Sequence, residues 1–163
     1  MAKLIHAERF QDLAVYQKAW QVSRTIYQLS KSFPKEETYS LTSQVRRSSR
    51  SVGAQIAEAW AKRRYPREFV RKMTEADAEQ METQHWIREA FACGFIDEAT
   101  GAHLTESCGE IGRMLAAMIA KTNRFCGKYD YKVEEEPAAY GLADDFFDEF
   151  MALEDSQKGM RLP

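Results

Sequence analysis

The sequence has little that would break or staple a chain. Four prolines and eight glycines in 163 residues leave long uninterrupted stretches and exclude a collagen-like or low-complexity protein. Three cysteines, Cys93, Cys108 and Cys126, are odd in number and far apart. No CxxC pair exists, which excludes a zinc ribbon, a thioredoxin-like motif and a disulfide scaffold. No stretch approaches the ~20 apolar residues of a membrane span, and residues 1–10 contain no apolar run of signal-peptide length. These absences point to a cytoplasmic protein that does not enter a membrane, with its three thiols free and partly buried.

Chemistry-bearing patterns are equally scarce. There is no GxGxxG, no GxxxxGK[ST], and no Ser/His/Asp or Cys/His arrangement to be read from spacing. Glu82 and His85 form one Glu-x-x-His pair, as in di-iron carboxylate bundles. His6 and His103 are the only other histidines, and neither follows a glutamate by three positions. The second half-site is missing, so no metal, no cofactor and no catalytic residue is expected. The chain reads as a non-enzyme.

What is present is helical periodicity, at a length that suits one domain with a real core. Val15, Ala19, Val22, Ile26, Leu29 and Phe33 step by 4 and 3, and Pro34 stops that first helix. Leu41, Val45, Ser48, Val52, Ile56 and Ala59 form a second seam, predicting a helix over 38–64. Pro66 suits the first turn of a third helix over 66–92, with Phe69, Met73, Ala76, Gln80, Thr83, Ile87 and Ala90 inward. Gly94 is placed as a C-terminal cap and Asp97 as an N-cap. Leu104, Cys108, Ile111, Leu115, Met118, Thr122 and Phe125 complete a fourth seam. No alternating strand pattern is seen. The fold class is therefore all-α, an antiparallel up-down-up-down four-helix bundle over 1–127, with an acidic C-terminal extension over 128–163. Leu142, Phe146, Phe150 and Leu153 make 142–153 a short acidic amphipathic helix candidate that would dock on the bundle and screen its basic face.

The formal net charge of -2 conceals a division. Residues 1–127 hold 19 basic and 15 acidic side chains, and residues 128–163 hold 4 and 10. Within the bundle, residues 46–72 carry nine basic side chains against Glu58 and Glu68. Arg46, Arg47, Arg50, Lys62, Arg63, Arg64 and Arg67 are the candidate nucleic-acid contacts. Trp60 and Tyr65 interleave with them as planes on which bases could stack. Alternatively, Arg47 and Arg50 pair with Glu79 or Glu82 of the third helix, in a network that fixes register.

Phe10-Gln-Asp-Leu13 with Val15-Tyr16 and Ala19-Trp20 opens a familiar pattern. Phe33-Pro34-Lys35 with Glu37, Tyr39 and Leu41 continues it. Gln44-Val-Arg46-Arg47-Ser-Ser-Arg-Ser51-Val52 followed by Ile56-Ala57-Glu58 is its most specific part. Together these resemble the four-helix-bundle proteins encoded by intervening sequences in bacterial 23S ribosomal RNA genes. The resemblance implies a non-enzymatic homopentamer linked to ribosomal RNA. Ile111-Gly112-Arg113-Met-Leu115 and Ile119-Ala120-Lys121-Thr-Asn123-Arg124 are also similar to accessory variability determinant proteins of diversity-generating retroelements. That similarity implies a reverse transcriptase as an alternative partner to RNA or DNA. Where the family commonly has Gly after Ile-Ala-Glu, this sequence has Ala59 and Trp60.

Overall fold

A computed structural model describes residues 7–126, and the acidic extension with its candidate helix lies outside them. Four long helices follow one another: α1 Ala14–Leu29, α2 Leu41–Ala61, α3 Pro66–Ala92 and α4 Glu98–Ala120, with a single turn, α5, at Thr122–Phe125. Each packs on its chain neighbour and α1 closes against α4, the arrangement of an antiparallel four-helix bundle. Among the described residues there is no strand.

The apolar seams meet in the middle. Val15, Ala19, Val22 and Ile26 of α1 face Val45, Val52 and Ile56 of α2. Phe69, Met73 and Ile87 of α3 and Leu104, Ile111 and Leu115 of α4 complete the core. Full burial of such side chains contributes about 1.5–3 kcal/mol each. Phe33 and Phe95 meet at 5.5 Å, so the α1–α2 and α3–α4 connections share one end. Phe69 stacks on Phe125 at 6.0 Å, which puts the α2–α3 turn and α5 at the other.

The helix boundaries have local causes. Helix α1 tightens into a 3-10 turn at Ser30–Ser32, where the hydroxyls of Ser30 and Ser32 donate to the carbonyls of Tyr27 and Leu29. Helix α2 is shorter than the predicted 38–64. A 3-10 turn at Lys35–Glu37 carries the Glu37 carboxylate to the Leu41 N–H at 3.3 Å, satisfying an orphan donor of the first turn. At the far end, Pro66 forces Tyr65 into extended backbone. Helix α3 spans the predicted residues. Gly94 caps it at φ 73, with Phe95 N–H donating to Ala90 O and Gly94 N–H to Phe91 O, a Schellman motif. Asp97 accepts from Thr100 N–H at 2.7 Å and opens α4. The expected continuous fourth seam breaks at Lys121, whose ψ of 29 separates α5.

Two polar layers interrupt the core. Thr83 meets Ser48 between α3 and α2. Gln80 donates to Asp77 at 2.9 Å and accepts from Gln84 at 2.7 Å. Gly112 of α4 leaves room for that pair: a Cβ there would sit 3.0 Å from Gln80 Nε2 and 3.2 Å from Asp77 Oδ1.

Candidate nucleic-acid interface

The seven candidate cations do not form one patch. Arg46 and Lys62 are 16 residues apart on or beside α2, about 24 Å along its axis. The structure divides them into a group at the α2–α3 turn and a group on the flank of α2.

At the turn, carboxylates claim part of the charge. Lys72 contacts Glu58 and Glu75, each at 2.8 Å. Arg71 bridges Glu68 at 2.8 Å and Glu75 at 2.6 Å. Lys62 lies 3.4 Å from Glu68. The Arg71 guanidinium holds Glu68 below the usual carboxylate range, the Lys72 ammonium does the same to Glu75, and Glu58 raises Lys72. The Arg71 and Lys62 pairs are exposed and orient side chains more than they stabilise, whereas the Lys72 side chain is 12% exposed and held between two carboxylates.

Arg63 is organised differently. Its guanidinium lies 3.8 Å from the Trp60 ring centroid and donates to the Trp60 carbonyl. Trp60 is half-buried against the core, so its ring carries Arg63. Tyr65 remains 47% exposed. Arg64 and Arg67 are exposed on the same turn. Lys121 and Arg124 add two cations from the end of α4 and from α5. Sequence reasoning missed them as site residues, because only antiparallel packing brings them here.

On the flank, the arginines face two different neighbours. Arg46 and Arg50 turn to α1, with guanidinium carbons 5.0 and 5.3 Å from the Tyr27 ring centroid. Arg46 Nε also donates to Ser30 Oγ at 2.7 Å. The expected pairing of Arg50 with Glu79 or Glu82 is therefore corrected. Positions 46 and 50 are four residues apart and share a helix face, whereas 47 is rotated by about 100°. Arg47 alone lies toward α3. It lowers the Glu79 pKa, but burial and the neighbouring Glu82 charge outweigh it and the group sits above its usual value. Among the described residues Arg47 makes no ion pair within 4 Å. Glu82 instead accepts from Trp86 Nε1 at 3.1 Å.

His85 is exposed, packs edge-on to Trp86 at 4.7 Å, and lines a 510 Å³ groove between α3 and α4 with Arg88, Phe91 and Glu98. Among the described residues no group of three or more His, Cys, Asp or Glu side chains is placed to hold a metal. No helix among them is long and apolar enough to cross a membrane.

Over most of the bundle, residues 11–117, the chain matches the 23S rRNA-intervening sequence protein family. The chain belongs to that family. It is also similar to a crystal structure of a protein of unknown function from the S23 ribosomal protein family, from Bacteroides thetaiotaomicron. The two are 25% identical with a TM-score of 0.59, over 65% of this chain and 95% of that one. No curated protein matches the chain. The matched family segment contains both halves of the candidate interface except Lys121 and Arg124.

Proposed function

We propose that this member of the 23S rRNA-intervening sequence protein family is a non-enzymatic, cytoplasmic nucleic-acid-binding protein with RNA as its ligand. The observation that carries the reading is the gathering of Arg63, Arg64, Arg67, Lys121 and Arg124 at one end of the bundle, beside Trp60 and Tyr65. Arg46 and Arg50, on the side of α2 that faces α1, and Arg47, on the side toward α3, are separate cationic groups on its flank. Lysine and arginine side chains so placed displace counterions from phosphates, and Tyr65, 47% exposed, is the ring beside them on which a base would stack, since Arg63 already covers Trp60. The reading includes assembly as a homopentamer, in which symmetry would repeat the basic end around one axis and add the potentials of its copies.

Binding of a labelled structured RNA at two salt concentrations tests it. Affinity that falls steeply with salt is expected, and no binding at low salt would overturn it. Light scattering of the purified protein tests the pentamer.

A second reading makes the same end a docking surface for an acidic protein such as a reverse transcriptase. Arg63, Trp60 and Tyr65 are of the residue types that dominate protein interfaces. Affinity capture from the host without nuclease, then with it, separates the two. A polymerase retained after nuclease supports the second.

A further inference from the structure

The hairpin of α1 and α2 has no carboxylate on its helices apart from Glu58. Residues 13–35 and 38–57 contain Lys18, Arg24, Lys31, Lys35, Arg46, Arg47 and Arg50, and not one Asp or Glu. Lys18 is paired with Glu110 of α4. On the outer face, three cations surround one ring: Lys31 Nζ at 4.9 Å and the guanidinium groups of Arg46 and Arg50 at 5.0 and 5.3 Å from the Tyr27 centroid. The ring offsets part of their mutual repulsion, and the Ser30 hydroxyl anchors Arg46. Like charges held this closely favour an anion between them.

Two helical turns toward the N-terminus of α1, about 10 Å away, the chemistry changes. Trp20 is 54% exposed, with Arg24 above its ring at 5.7 Å. Beside it is a 210 Å³ slot lined by Tyr16, Trp20, Ser23, Ser49, Arg50 and Gly53. That volume is below the range of drug-sized ligand pockets and suits a single planar ring. Arg50 belongs to both features, joining the aromatic slot to the cation cluster.

We propose that the α1–α2 face is a track for single-stranded nucleic acid, with one base against Trp20 and the adjoining phosphates on Arg24, Arg50, Arg46 and Lys31. This rests on the nucleic-acid reading above and gives it a substrate class and a second binding surface. A duplex keeps its bases stacked inside and cannot offer one to Trp20. A single strand presents both parts, a ring face and a string of phosphates, in the alternation that this face shows. A polyanionic peptide without aromatic side chains would satisfy the cations but leave the aromatic slot without a matching plane.

The test uses the full chain, a labelled twelve-nucleotide oligouridylate, a blunt-ended RNA duplex without a loop, and polyglutamate. In a W60F/W86F background, Trp20 is the sole tryptophan and its emission reports the slot directly. Oligouridylate is expected to quench it. Trp20→Ala is expected to weaken oligouridylate binding roughly tenfold or more, with duplex affinity unchanged and the helical circular dichroism intact. Oligouridylate binding without a change in Trp20 emission, or with equal affinity in Trp20→Ala, would overturn the track and leave the nucleic-acid reading standing. The same follows if the duplex binds and oligouridylate does not. If neither RNA binds at low salt, the broader reading falls and takes the track with it. Quenching by polyglutamate alone would assign the face to an acidic protein and overturn the proposal.

Discussion

Thr83 Oγ1 lies 3.0 Å from Ser48 Oγ, in the middle of the bundle, with both residues 0% exposed. The two are 35 positions apart in sequence and fix the height of α3 against α2. Thr83 has a second partner in the Glu79 carbonyl at 2.8 Å. Ser48 has only a long contact to Val45 O at 3.5 Å, so it depends on Thr83. Thr83→Val keeps the volume and leaves the serine hydroxyl under-satisfied, at an expected cost of about 1–3 kcal/mol. Adding Ser48→Ala removes the stranded group. The double variant is expected to be less destabilised than the sum of the singles, by about 0.5–1 kcal/mol in denaturant unfolding. Additive losses would show that the hydroxyls do not couple.

A glycine pair on α4 separates packing from propensity. At Gly112 a Cβ would press on Gln80 and Asp77, disturbing a hydrogen bond to a side chain that is 3% exposed. Gly112→Ala is expected to cost about 1–3 kcal/mol. At Gly109 the same atom meets the end of the Arg113 side chain at 3.5 Å, which can move. Gly109→Ala is therefore expected to stabilise by up to about 1 kcal/mol through helix propensity. Thermal melts of the two variants should move in opposite directions.

The core was legible because a buried helix face repeats every three or four residues. The apolar seam positions Val15, Ala19, Val22, Ile26, Leu41, Val45, Val52 and Ile56 are all buried, and Pro66, Gly94 and Asp97 mark real boundaries. The start of α2 was not legible, because a carboxylate from a separate 3-10 turn ends the chain's freedom there and leaves no periodic trace. The site was half legible. A run of basic residues shows in the sequence, but which neighbour each one faces depends on a rotation of about 100° per residue. That rotation sends Arg46 and Arg50 to Tyr27 and Arg47 toward Glu79. Trp20 with Arg24 and Tyr27 with Lys31 are i, i+4 pairs along one stretch of chain, whereas Arg46 and Arg50 reach the Tyr27 ring only because α2 packs beside α1.

The titration of Glu79 gives a pH prediction. Burial first, then the Glu82 charge, raises its pKa above the usual 4.5, with Arg47 opposing. A raised carboxyl binds its proton more tightly folded than unfolded. Its contribution to stability is present below the unfolded value and is lost as pH rises through the folded one. Glu79→Gln imitates the neutral form at every pH. Its melting temperature is expected to exceed the parent's at pH 7, and the gap should close below about pH 4. A gap that is constant with pH would mean that glutamine acts through packing alone.

The three thiols should differ in reactivity. Cys93 is exposed, whereas Cys108 and Cys126 are buried. Burial pushes Cys108 up to about 12. It also raises Cys126, against a smaller opposing effect of Arg63. Thiolate is the reactive form. One equivalent of thiol is expected to react rapidly with an aromatic disulfide reagent at pH 8, and three in denaturant. Cys93→Ser should abolish the fast phase.

The basic end and the acidic extension make opposing predictions about salt. If Arg63 and Arg67 each neutralise a phosphate, replacing both with Gln should reduce the slope of log affinity against log salt by about 1.4 on a single strand, at ~0.7 per phosphate, and by up to about 1.8 on a duplex, at ~0.9 per phosphate. Lys62, already beside Glu68, has less charge to offer, and Lys62→Gln should change the slope less. Removing residues 128–163 takes away ten acidic and four basic side chains. If that excess negative charge competes with RNA, the shortened chain should bind more tightly at low salt. The gain should fade toward 1 M, where charges are screened beyond ~3 Å. A gain that persists at high salt would indicate displacement of an apolar contact. Unchanged affinity at low salt would mean that the extension leaves the basic end alone, and the double-glutamine slope would then be the same in both chain lengths.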